Sequence, residues 1–440
     1  MAHVQKRVRS DGKLVYVVKY RTPDGRARSK GGFMSRKSAE AYAITVAFNA
    51  ARGAVFDPGS GMVHFRVAAA DWLASRHDLK VRTRAGYAYA LAPRKRRTAT
   101  ANWGIDETWG AFPINMITRA GISEWVHALT RAGAKPSTVR NQFFVLRMVL
   151  AQAVVDGRLS TNPADYVTLP SDRMADGGAA GVVDDSTQFL SAHQVGALVD
   201  ATPWPYDVMV YLAAWTGLRA AELGGLQLGD IALPLRSEKP GTLRVERTSI
   251  VVESRTIYDT PKTRGSRRRV PLTQDSVAVL RTYLESHPRK NNLLAPLFPA
   301  FRLIGQKPTG LRATDHHGER LIPTASEALA ALSTSEAERR LRLNWTSPVR
   351  HTNFYSMVYR PAVIRADRLT PDAGLPRNLR FHALRHTYAS LCASAGIPAL
   401  AIAKFMGHSK VTTTLTIYAH LFEDDHSAAM SALGALSGPG

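Results

Sequence analysis

Residues 171–186 read SDRMADGGAAGVVDDS, and this segment divides a chain of 440 residues into two parts. It is rich in Gly, Ala and Asp and shows no hydrophobic periodicity, which is typical of a linker between domains. A chain of this length has room for two or three domains. We therefore predict separately folded parts on either side of a linker at 171–188.

The chain is strongly basic, with 58 Lys and Arg against 35 Asp and Glu and a net charge of +23. Such an excess predicts a polyanionic partner, with nucleic acid the first candidate and an anionic membrane surface the second. No apolar run approaches the length of about eighteen residues needed to span a bilayer, and MAHVQKRVRSDGK lacks the apolar core of a signal peptide. We expect a cytoplasmic, nucleoid-associated protein of bacterial or phage origin with no membrane partner.

Cys392 is the only cysteine, and it lies in the apolar run ASLCASAG. A single cysteine excludes disulfides and cysteine-rich zinc sites, and it fits a reducing compartment. Cys392 could act as a nucleophile, but we interpret it as a small buried core residue.

The first 58 residues predict a small basic domain. LVYVVKYR (14–21) and RARSK (26–30) predict strands around a PDG turn, and 35–53 predicts a helix that begins at Ser35 and ends at Gly53. These residues form either a solvated basic hairpin or a DNA-binding surface, and the near absence of acid favours DNA. The candidate DNA contacts are Lys6, Arg7, Lys19, Arg21, Arg26 and Arg28.

Residues 62–170 predict an all-α domain. Val139, Phe143, Leu146, Leu150 and Val154 keep helical spacing within 136–157, and 122–133 predicts a second amphipathic helix. The tract 76–97 is basic, and a charge run is either a solvated face or a face turned towards DNA. We predict DNA contact, with these candidates: Arg82, Arg84, Arg94, Lys95, Arg96, Arg97 and Arg140.

Residues 189–425 predict a large, mainly α domain with a small antiparallel sheet, followed by a tail at 426–440. A helix over 202–217 ends at Gly217, PKTRGSRRRVPL (261–272) predicts strand–turn–strand, and 319–345 has helical composition with capping Ser and Thr. The fold class is therefore multidomain: β-sheet plus helix, then all-α, then α+β.

Four stretches of this last domain carry candidate chemical groups. Taken singly, each has an ordinary structural explanation: a surface ion pair in TGLRAAEL, a solubilising turn in PKTRGSRRRVPL, and a half-buried tyrosine in GHSKVTTTLTIYAHL. In FHALRHTYAS, two histidines and an arginine share one helical face, a spacing that also suits zinc. A zinc hydrolase would need a carboxylate base between the histidines, and here the intervening residues include an arginine. The residues concerned are Arg219, Glu222, Lys262, His382, Arg385, His386, His408 and Tyr418.

As a set, and in their order along the chain, these motifs resemble those of the tyrosine recombinase family. Within that family they resemble the integrases of the phage-lambda type. The resemblance covers most of 1–425, with the motifs in 216–420. Residues 1–58 are similar to the family's arm-type DNA-binding domain, and 62–170 are similar to its helical core-binding domain. Residues 296–350 look longer than the family pattern, a departure that concerns how DNA or a neighbouring subunit packs there and not the candidate active site.

The resemblance implies a site-specific recombinase that integrates or excises a mobile element through a 3′-phosphotyrosine. It implies that Tyr418 is the nucleophile, that Lys262 is the general acid, and that His382 assists deprotonation. It further implies that Arg219, Arg385 and His408 bind the phosphate and that Glu222 supports the pocket. His386 receives no certain role, and packing is our interpretation of it.

The family also implies partners and requirements. It implies double-stranded DNA with crossover and arm-type sites, a homotetramer on DNA, and DNA-bending or directionality factors. It requires neither a metal nor a nucleotide cofactor, since exchanging a phosphodiester for a phosphotyrosine conserves bond energy. Two alternatives stay open: a catalytically idle, sequence-specific DNA-binding protein on the same fold, and a type IB topoisomerase.

Overall fold

The computed structural model describes most of the chain. The chain divides into two compact units, Met1–Gly177 and Gly178–Gly440. The boundary falls within the predicted linker, whose residues lie outside the described ranges. The described residues are 2–21, 25, 27–51, 60–93, 103–170, 189–234, 240–252, 255–260, 267–305, 324–408 and 411–418.

The first unit begins with a three-stranded antiparallel sheet in the order β1-β2-β3, followed by helix α1. Its elements are β1 His3–Val8, β2 Leu14–Arg21, β3 Ala27–Phe33 and α1 Arg36–Ala51. The two predicted strands and the helix are confirmed, whereas β1 was not predicted. The Ser35 hydroxyl accepts a hydrogen bond from the Ser38 N–H at 3.1 Å and caps α1 as expected; Gly53 lies outside the described residues.

The first unit continues with helices around a separate apolar core. They are α2 Phe65–Ser75, α3 Val81–Leu91, α4 Ile105–Trp109, α5 Arg119–Arg131 and α6 Pro136–Val155. Helices α5 and α6 confirm the two predicted amphipathic helices. Val139, Phe143, Leu146 and Leu150 are buried in the core, and Val154 packs at its edge. Burial of this apolar stripe is what holds α6 against its neighbours.

The second unit is mainly helical. Its helices are α7 Ala192–Asp200, α8 Tyr206–Thr216, α9 Ala220–Leu223, α10 Gln274–Glu285, α11 Ala325–Ala330, α12 Thr334–Arg339, α13 His351–Phe354, α14 Arg360–Leu369, α15 Ala383–Ser394, α16 Ala399–Met406 and α17 Val411–Tyr418. One turn of π-helix, Tyr355–Tyr359, joins α13 to α14. Helix α8 ends at Gly217 as predicted.

Three small antiparallel sheets accompany these helices, in the orders β4-β5-β8, β6-β7 and β9-β10. Their strands are β4 Ile231–Ala232, β5 Thr242–Val245, β6 Thr248–Val252, β7 Arg255–Asp259, β8 Arg268–Pro271, β9 Pro299–Leu303 and β10 Leu341–Pro348. The second strand predicted in 261–272 is β8, and the first strand and the turn lie outside the described residues. Strand β8 pairs with β5 and β7 pairs with β6, so the strands flanking that segment belong to different sheets.

The helical prediction for 319–345 is wrong at its end. Helices α11 and α12 are present, each with a capping box (Thr324 with Glu327, Ser333 with Glu336), but residues from Leu341 onwards form strand β10. Along that strand apolar and polar residues alternate in burial, a period of two that fits a sheet and not a helix. Strands β9 and β10 lie within 296–350, the stretch that we expect to be longer than the family pattern.

The second unit has a large core and a smaller one that contains Tyr388, Cys392, Met406 and Tyr418. Cys392 is buried there, which agrees with its interpretation as a core residue, and burial raises the pKa of its thiol to about 11. Among the described helices, none combines the length and the hydrophobicity needed to cross a bilayer. The fold class is confirmed: a sheet with one helix, a helical middle, and a mainly α part with small sheets.

Candidate active site

Arg219 and Glu222 are placed by the sharp break between α8 and α9. Gly217 takes a left-handed conformation with φ of 63°, and a Cβ there would lie 2.3 Å from Cδ1 of Tyr388. The chain restarts at once as α9, and the Arg219 N–H donates to Oε2 of Glu222 at 2.8 Å. The predicted i, i+3 pair is present, with Nη1 of Arg219 3.0 Å from Oε1 of Glu222.

Glu222 is buried and is shared between two arginines. Nη1 and Nη2 of Arg268, on β8, donate to its two carboxylate oxygens at 3.0 and 2.9 Å. Burial opposes ionisation of Glu222, but the hydrogen bonds and charge of Arg268, with the charge of Arg219, outweigh it and lower its pKa. Glu222 accepts two hydrogen bonds from Arg268, both from its guanidinium, and two from Arg219, one from the guanidinium and one from the backbone N–H.

Sequence reasoning missed Arg268. It stands in SRRR, where nothing in the letters separates one arginine from its neighbours. Its side chain is 6% exposed, and its Nε donates to the carbonyl of Phe405 at 2.5 Å. Strand alternation offers the only signal, because Arg268 and Val270 point to one face and Arg267 and Arg269 to the other.

Arg385 projects from α15 into the same region and is 3% exposed. Its Nη1 donates to the carbonyl of Gly217, and its Nη2 donates to that of Met406 at 2.8 Å. Within the described residues no carboxylate is hydrogen-bonded to this guanidinium. Burial, together with the positive charges of Arg219 and Arg268, lowers its pKa to about 9, so it stays cationic at neutral pH.

The guanidiniums of three arginines and the carboxylate of Glu222 together carry two net positive charges in a partly buried region. The arginines are Arg219, Arg268 and Arg385. The side chain of Arg219 is 39% exposed, so the region is open to solvent at that residue. Guanidinium groups bind phosphate and carboxylate oxygens through paired N–H donors. The arrangement therefore suits an anion with several oxygens.

The loop after α16 brings His408 to this cluster. Gly407 is left-handed with φ of 66°, and its carbonyl accepts a hydrogen bond from Nη2 of Arg219 at 3.3 Å. Nδ1 of His408 lies 2.7 Å from the Thr414 hydroxyl on α17. Burial, then the charges of Arg385, Arg219 and Arg268, lower the pKa of His408 to about 4, so the ring is neutral at pH 7.

Tyr418 closes the cluster at the end of α17. It is 1% exposed, and its hydroxyl oxygen lies 2.8 Å from Nδ1 of His386. Burial raises the pKa of the phenol to about 12, and the charge of Arg385 opposes that rise. The interpretation of His386 as a packing residue is incomplete, because this ring makes a direct polar contact with the tyrosine.

His382 stands at the start of α15 with its ring 5.0 Å from that of His386, nearly perpendicular to it. Desolvation, then the charges of Arg385 and Arg219, lower its pKa. Its ring contact within the described residues is to His386 and not to Tyr418. In the part of the chain that the structure describes, no group of three or more His, Cys, Asp or Glu is placed to hold a metal ion.

The structure thus brings together Arg219, Glu222, His382, Arg385, His408 and Tyr418 from four separate segments. Lys262 lies outside the described residues, so its expected role stays a prediction. The joint placement follows from long-range packing, since the single side chain of Arg385 donates hydrogen bonds to the ends of both α8 and α16.

The candidate DNA contacts of the N-terminal sheet divide between its two faces. Residues directly opposite in an antiparallel pair share a face. Arg7 pairs with Val15 and Lys19 with His3, which places Arg7, Lys19 and Arg21 on the face away from α1. Lys6 pairs with Tyr16 and Arg28 with Tyr20, and these tyrosines point towards α1. Arg26 lies outside the described residues.

The candidates in the helical middle are also dispersed. Arg82 and Arg84 are exposed on α3 but are two residues apart, so they point in different directions. Arg140 on α6 donates to the Pro170 carbonyl at 3.0 Å. A groove of about 850 Å³ between α3 and α6 is lined by residues that include Tyr87, Tyr89, Asn141, Gln142, Phe144 and Arg147. Residues 94–97 lie outside the described ranges.

Comparison with known proteins assigns the second unit to a family. Residues 188–424 match the Phage integrase family. The chain is 24% identical over 404 residues to a protein described as a prophage phiRv2 integrase of Mycobacterium tuberculosis, covering 90% of this chain and 86% of that protein. It is 24% identical over 335 residues to a XerC-like tyrosine recombinase of Caldanaerobacter subterraneus subsp. tengcongensis, covering 73% and 72% of the two chains.

Among solved structures, the Tn1549 transposon integrase in complex with transposon right end DNA is similar in fold. The TM-score is 0.52 at 18% sequence identity, and the match covers 86% of this chain and all of that one. At this identity the likeness shows the shared fold alone.

Proposed function

We propose, from the premise that this chain belongs to the Phage integrase family, that it is a site-specific DNA recombinase. In this proposal it cleaves and rejoins DNA strands through a 3′-phosphotyrosine at Tyr418 and so integrates or excises a mobile element. The observation that carries the proposal is the contact of α17 with α15. That contact holds the hydroxyl of a buried tyrosine in one cluster with Arg385, Arg219 and His408.

The guanidiniums bind the scissile phosphate in this mechanism. Attack on a phosphodiester adds negative charge to its non-bridging oxygens, and donors already held in place stabilise that charge. Arg385 is fixed by two backbone carbonyls, and Arg219 is fixed by Glu222 and Gly407. His408 completes the set: in this mechanism its Nδ1 accepts from the Thr414 hydroxyl 2.7 Å away, so that the proton on Nε2 is donated to a phosphate oxygen.

The phenol of Tyr418 attacks phosphorus, and the bond to the 5′-oxygen breaks. Lys262 is the proposed donor of the proton that the 5′-oxygen takes, on the strength of the family resemblance. The reverse attack by a 5′-hydroxyl of another strand regenerates the phosphodiester. Glu222 holds Arg219 and Arg268 and does not touch DNA in this scheme.

The domain boundaries and partners form the rest of the proposal. Residues 1–58 bind arm-type sites, 62–170 bind the crossover site, and 189–425 carry out the chemistry, with a homotetramer assembled on DNA. The Tn1549 integrase is described in complex with DNA, which supports a DNA partner here. Accessory bending or directionality factors remain part of the expectation from the family.

Capture of covalent protein–DNA adducts tests the proposal. The full chain is incubated with a library of random duplexes, denatured in detergent, and the DNA that stays bound to protein is sequenced. We expect one recurrent site, with an adduct that Tyr418→Phe abolishes and Tyr388→Phe retains. Binding to a specific site without any adduct would instead support the idle DNA-binding protein, and relaxation of supercoils at unrelated sites would support the topoisomerase.

A further inference from the structure

His386 is the one titratable side chain in hydrogen-bond contact with the Tyr418 hydroxyl within the described residues. Its Nδ1 lies 2.8 Å from that oxygen, although the two residues are 32 positions apart. Phe189 packs against both rings, with centroids 6.4 Å from each. The pair is therefore held by packing from three segments of the second unit, and it is not a chance surface contact.

The ring of His386 is neutral in this environment. Burial, then the neighbouring His382 and the charge of Arg385, lower its pKa to about 4, and His408 lies close enough to interact electrostatically with it. Facing it are His382 and Arg385 on α15, His408 before α17, and Tyr418 on α17. A neutral imidazole with its proton on Nε2 accepts the phenolic hydrogen bond at Nδ1.

His382, which we expected to assist deprotonation, is less well placed for that task. Its ring meets the edge of His386, 5.0 Å between centroids at 88°. In the described part of the chain it makes no hydrogen bond or ring contact with Tyr418. A proton acceptor must be within hydrogen-bond reach of the proton that it takes, directly or through one water.

We infer that His386 is the residue that orients the Tyr418 hydroxyl and accepts its proton during strand cleavage, an inference that rests on the proposed function. The Oη–phosphorus bond forms as the bond from phosphorus to the 5′-oxygen breaks. The phenolic proton moves to Nδ1 of His386, and the 5′-oxygen takes a proton from a separate donor, proposed above as Lys262. On rejoining, Nδ1 returns its proton to the phenolate leaving group.

Binding of the phosphate makes this transfer feasible. Without DNA, burial and then the charges of His382 and Arg385 disfavour an imidazolium at His386. A phosphodiester anion bound to Arg385 and Arg219 offsets the contribution of Arg385, so the basicity of His386 rises when DNA binds. Formation of the bond to phosphorus at the same time makes the phenol more acidic.

Nitrogen NMR of the full chain without DNA tests the hydrogen bond. With ¹⁵N-labelled histidine, we expect Nδ1 of His386 to give the signal of an unprotonated nitrogen, and we expect Tyr418→Phe to shift it. A protonated Nδ1 would mean that the ring donates to the phenol, and it would overturn the inference whether or not the protein cleaves DNA.

Cleavage kinetics on a nicked duplex carrying the recovered site test the proton transfer. We compare His386→Ala and His386→Asn, which keeps an oxygen near the position of Nδ1, with the matched variant His382→Ala. We expect His386→Ala to slow adduct formation about 10²- to 10⁴-fold at pH 7, the usual contribution of a general base. We also expect its rate to rise about tenfold per pH unit, because the reaction then depends on phenolate.

In wild type, and in His382→Ala, we expect the rate to vary little between about pH 6.5 and 9. Imidazole in solution should partly restore His386→Ala and leave His382→Ala unchanged. A His386→Ala rate that is lower by one constant factor at every pH, with no response to imidazole, would show a packing role and overturn the inference. Loss of adduct in wild type as well would instead refute the proposed function on which it rests.

Discussion

The carboxylate of Glu222 accepts hydrogen bonds from both Nη atoms of Arg268, at 3.0 and 2.9 Å, and both side chains are almost fully buried. Because Arg219 uses the same carboxylate, this pair fixes one of the guanidiniums proposed to bind phosphate. Arg268 also donates to the Phe405 carbonyl, which ties β8 to the end of α16.

Removal of Arg268 should destabilise the second unit. Arg268→Met leaves Glu222 buried beside a single arginine, and loss of one partner of a buried pair costs about 3–5 kcal/mol. Arg267→Met is the matched control, since Arg267 is 56% exposed and should change stability by less than about 0.5 kcal/mol. Equal melting temperatures of the two variants in calorimetry would show that the Glu222–Arg268 pair is not important for stability.

Gly407 should tolerate a side chain less well than Gly396. Both are left-handed, with φ of 66° and 71°, so alanine is strained to a similar extent at either position. A Cβ at Gly407 would lie 2.8 Å from Nη1 of Arg268, whereas nothing lies within 4 Å at Gly396. We expect Gly396→Ala to cost about 1 kcal/mol and Gly407→Ala to cost at least about 1 kcal/mol more by denaturant unfolding. Equal destabilisation would mean that the loop shifts freely away from Arg268.

Stability should fall as the solution is acidified below about pH 6.5, the ordinary pKa of histidine. The pKa values of His386 and His408 are lowered to about 4 in the folded protein, so between these pH values the unfolded chain binds more protons. The stabilising effect is therefore complete above about pH 6.5 and is lost progressively towards about pH 4.

A non-titrating variant checks this. His408→Asn keeps a partner for Thr414 and should flatten the dependence of the melting temperature on pH. His193→Asn, at a side chain that is 62% exposed, should leave that dependence as it is in wild type. An unchanged slope in His408→Asn would show that His408 is not held neutral by the fold.

The sheet face away from α1 should contribute more to DNA affinity than the face on which α1 packs. Replacement of Arg7, Lys19 and Arg21 by Gln should weaken arm-site binding and reduce the slope of log K against log salt by about 0.9 for each phosphate that is no longer neutralised. The control is the replacement of Lys6 and Arg28 by Gln, which also removes positive charge but on the face on which α1 packs. Similar slopes for the two variants would argue that the face with Arg7, Lys19 and Arg21 is not the DNA surface.

Deletion of residues 1–55 should abolish arm-site binding and leave crossover-site binding intact. The sheet and α1 have their own small core of Val18, Tyr20, Ala39 and Val46, which supports a separable module. Fluorescence anisotropy with the two duplexes measures both affinities. A similar loss of affinity for both duplexes would contradict the proposal that residues 1–58 bind the arm-type sites and 62–170 bind the crossover site.

Local signals in the sequence predicted part of the fold, because caps, glycine stops and apolar spacing act over a few residues. Gly217, Ser35 and the stripe of α6 are examples. The start of Leu341–Pro348 was wrongly predicted as helix. The helical composition of 319–345 was given more weight than the alternation of apolar and polar residues that indicates a strand. Strand β1 was missed because its exposed, charged residues give little apolar pattern.

The candidate site was named from motifs and not from contacts. Spacing put His382, Arg385 and His386 on one face, but it could not show which histidine reaches Tyr418, since that depends on how α17 packs on α15. The pairing of Arg268 with Glu222 was hidden for the same reason: it depends on how strand β8 packs near helix α9, which brings together residues 46 positions apart.

Mass spectrometry of the DNA-linked peptide tests the central claim most directly. After trapping, nuclease digestion and trypsin, cleavage after Lys410 releases a peptide that begins at Val411 and has Tyr418 as its single tyrosine. We predict that this peptide carries a nucleotide through its 3′-phosphate, and that Tyr418 is the modified residue. A nucleotide on any other residue, or a link through a 5′-phosphate, would contradict the account.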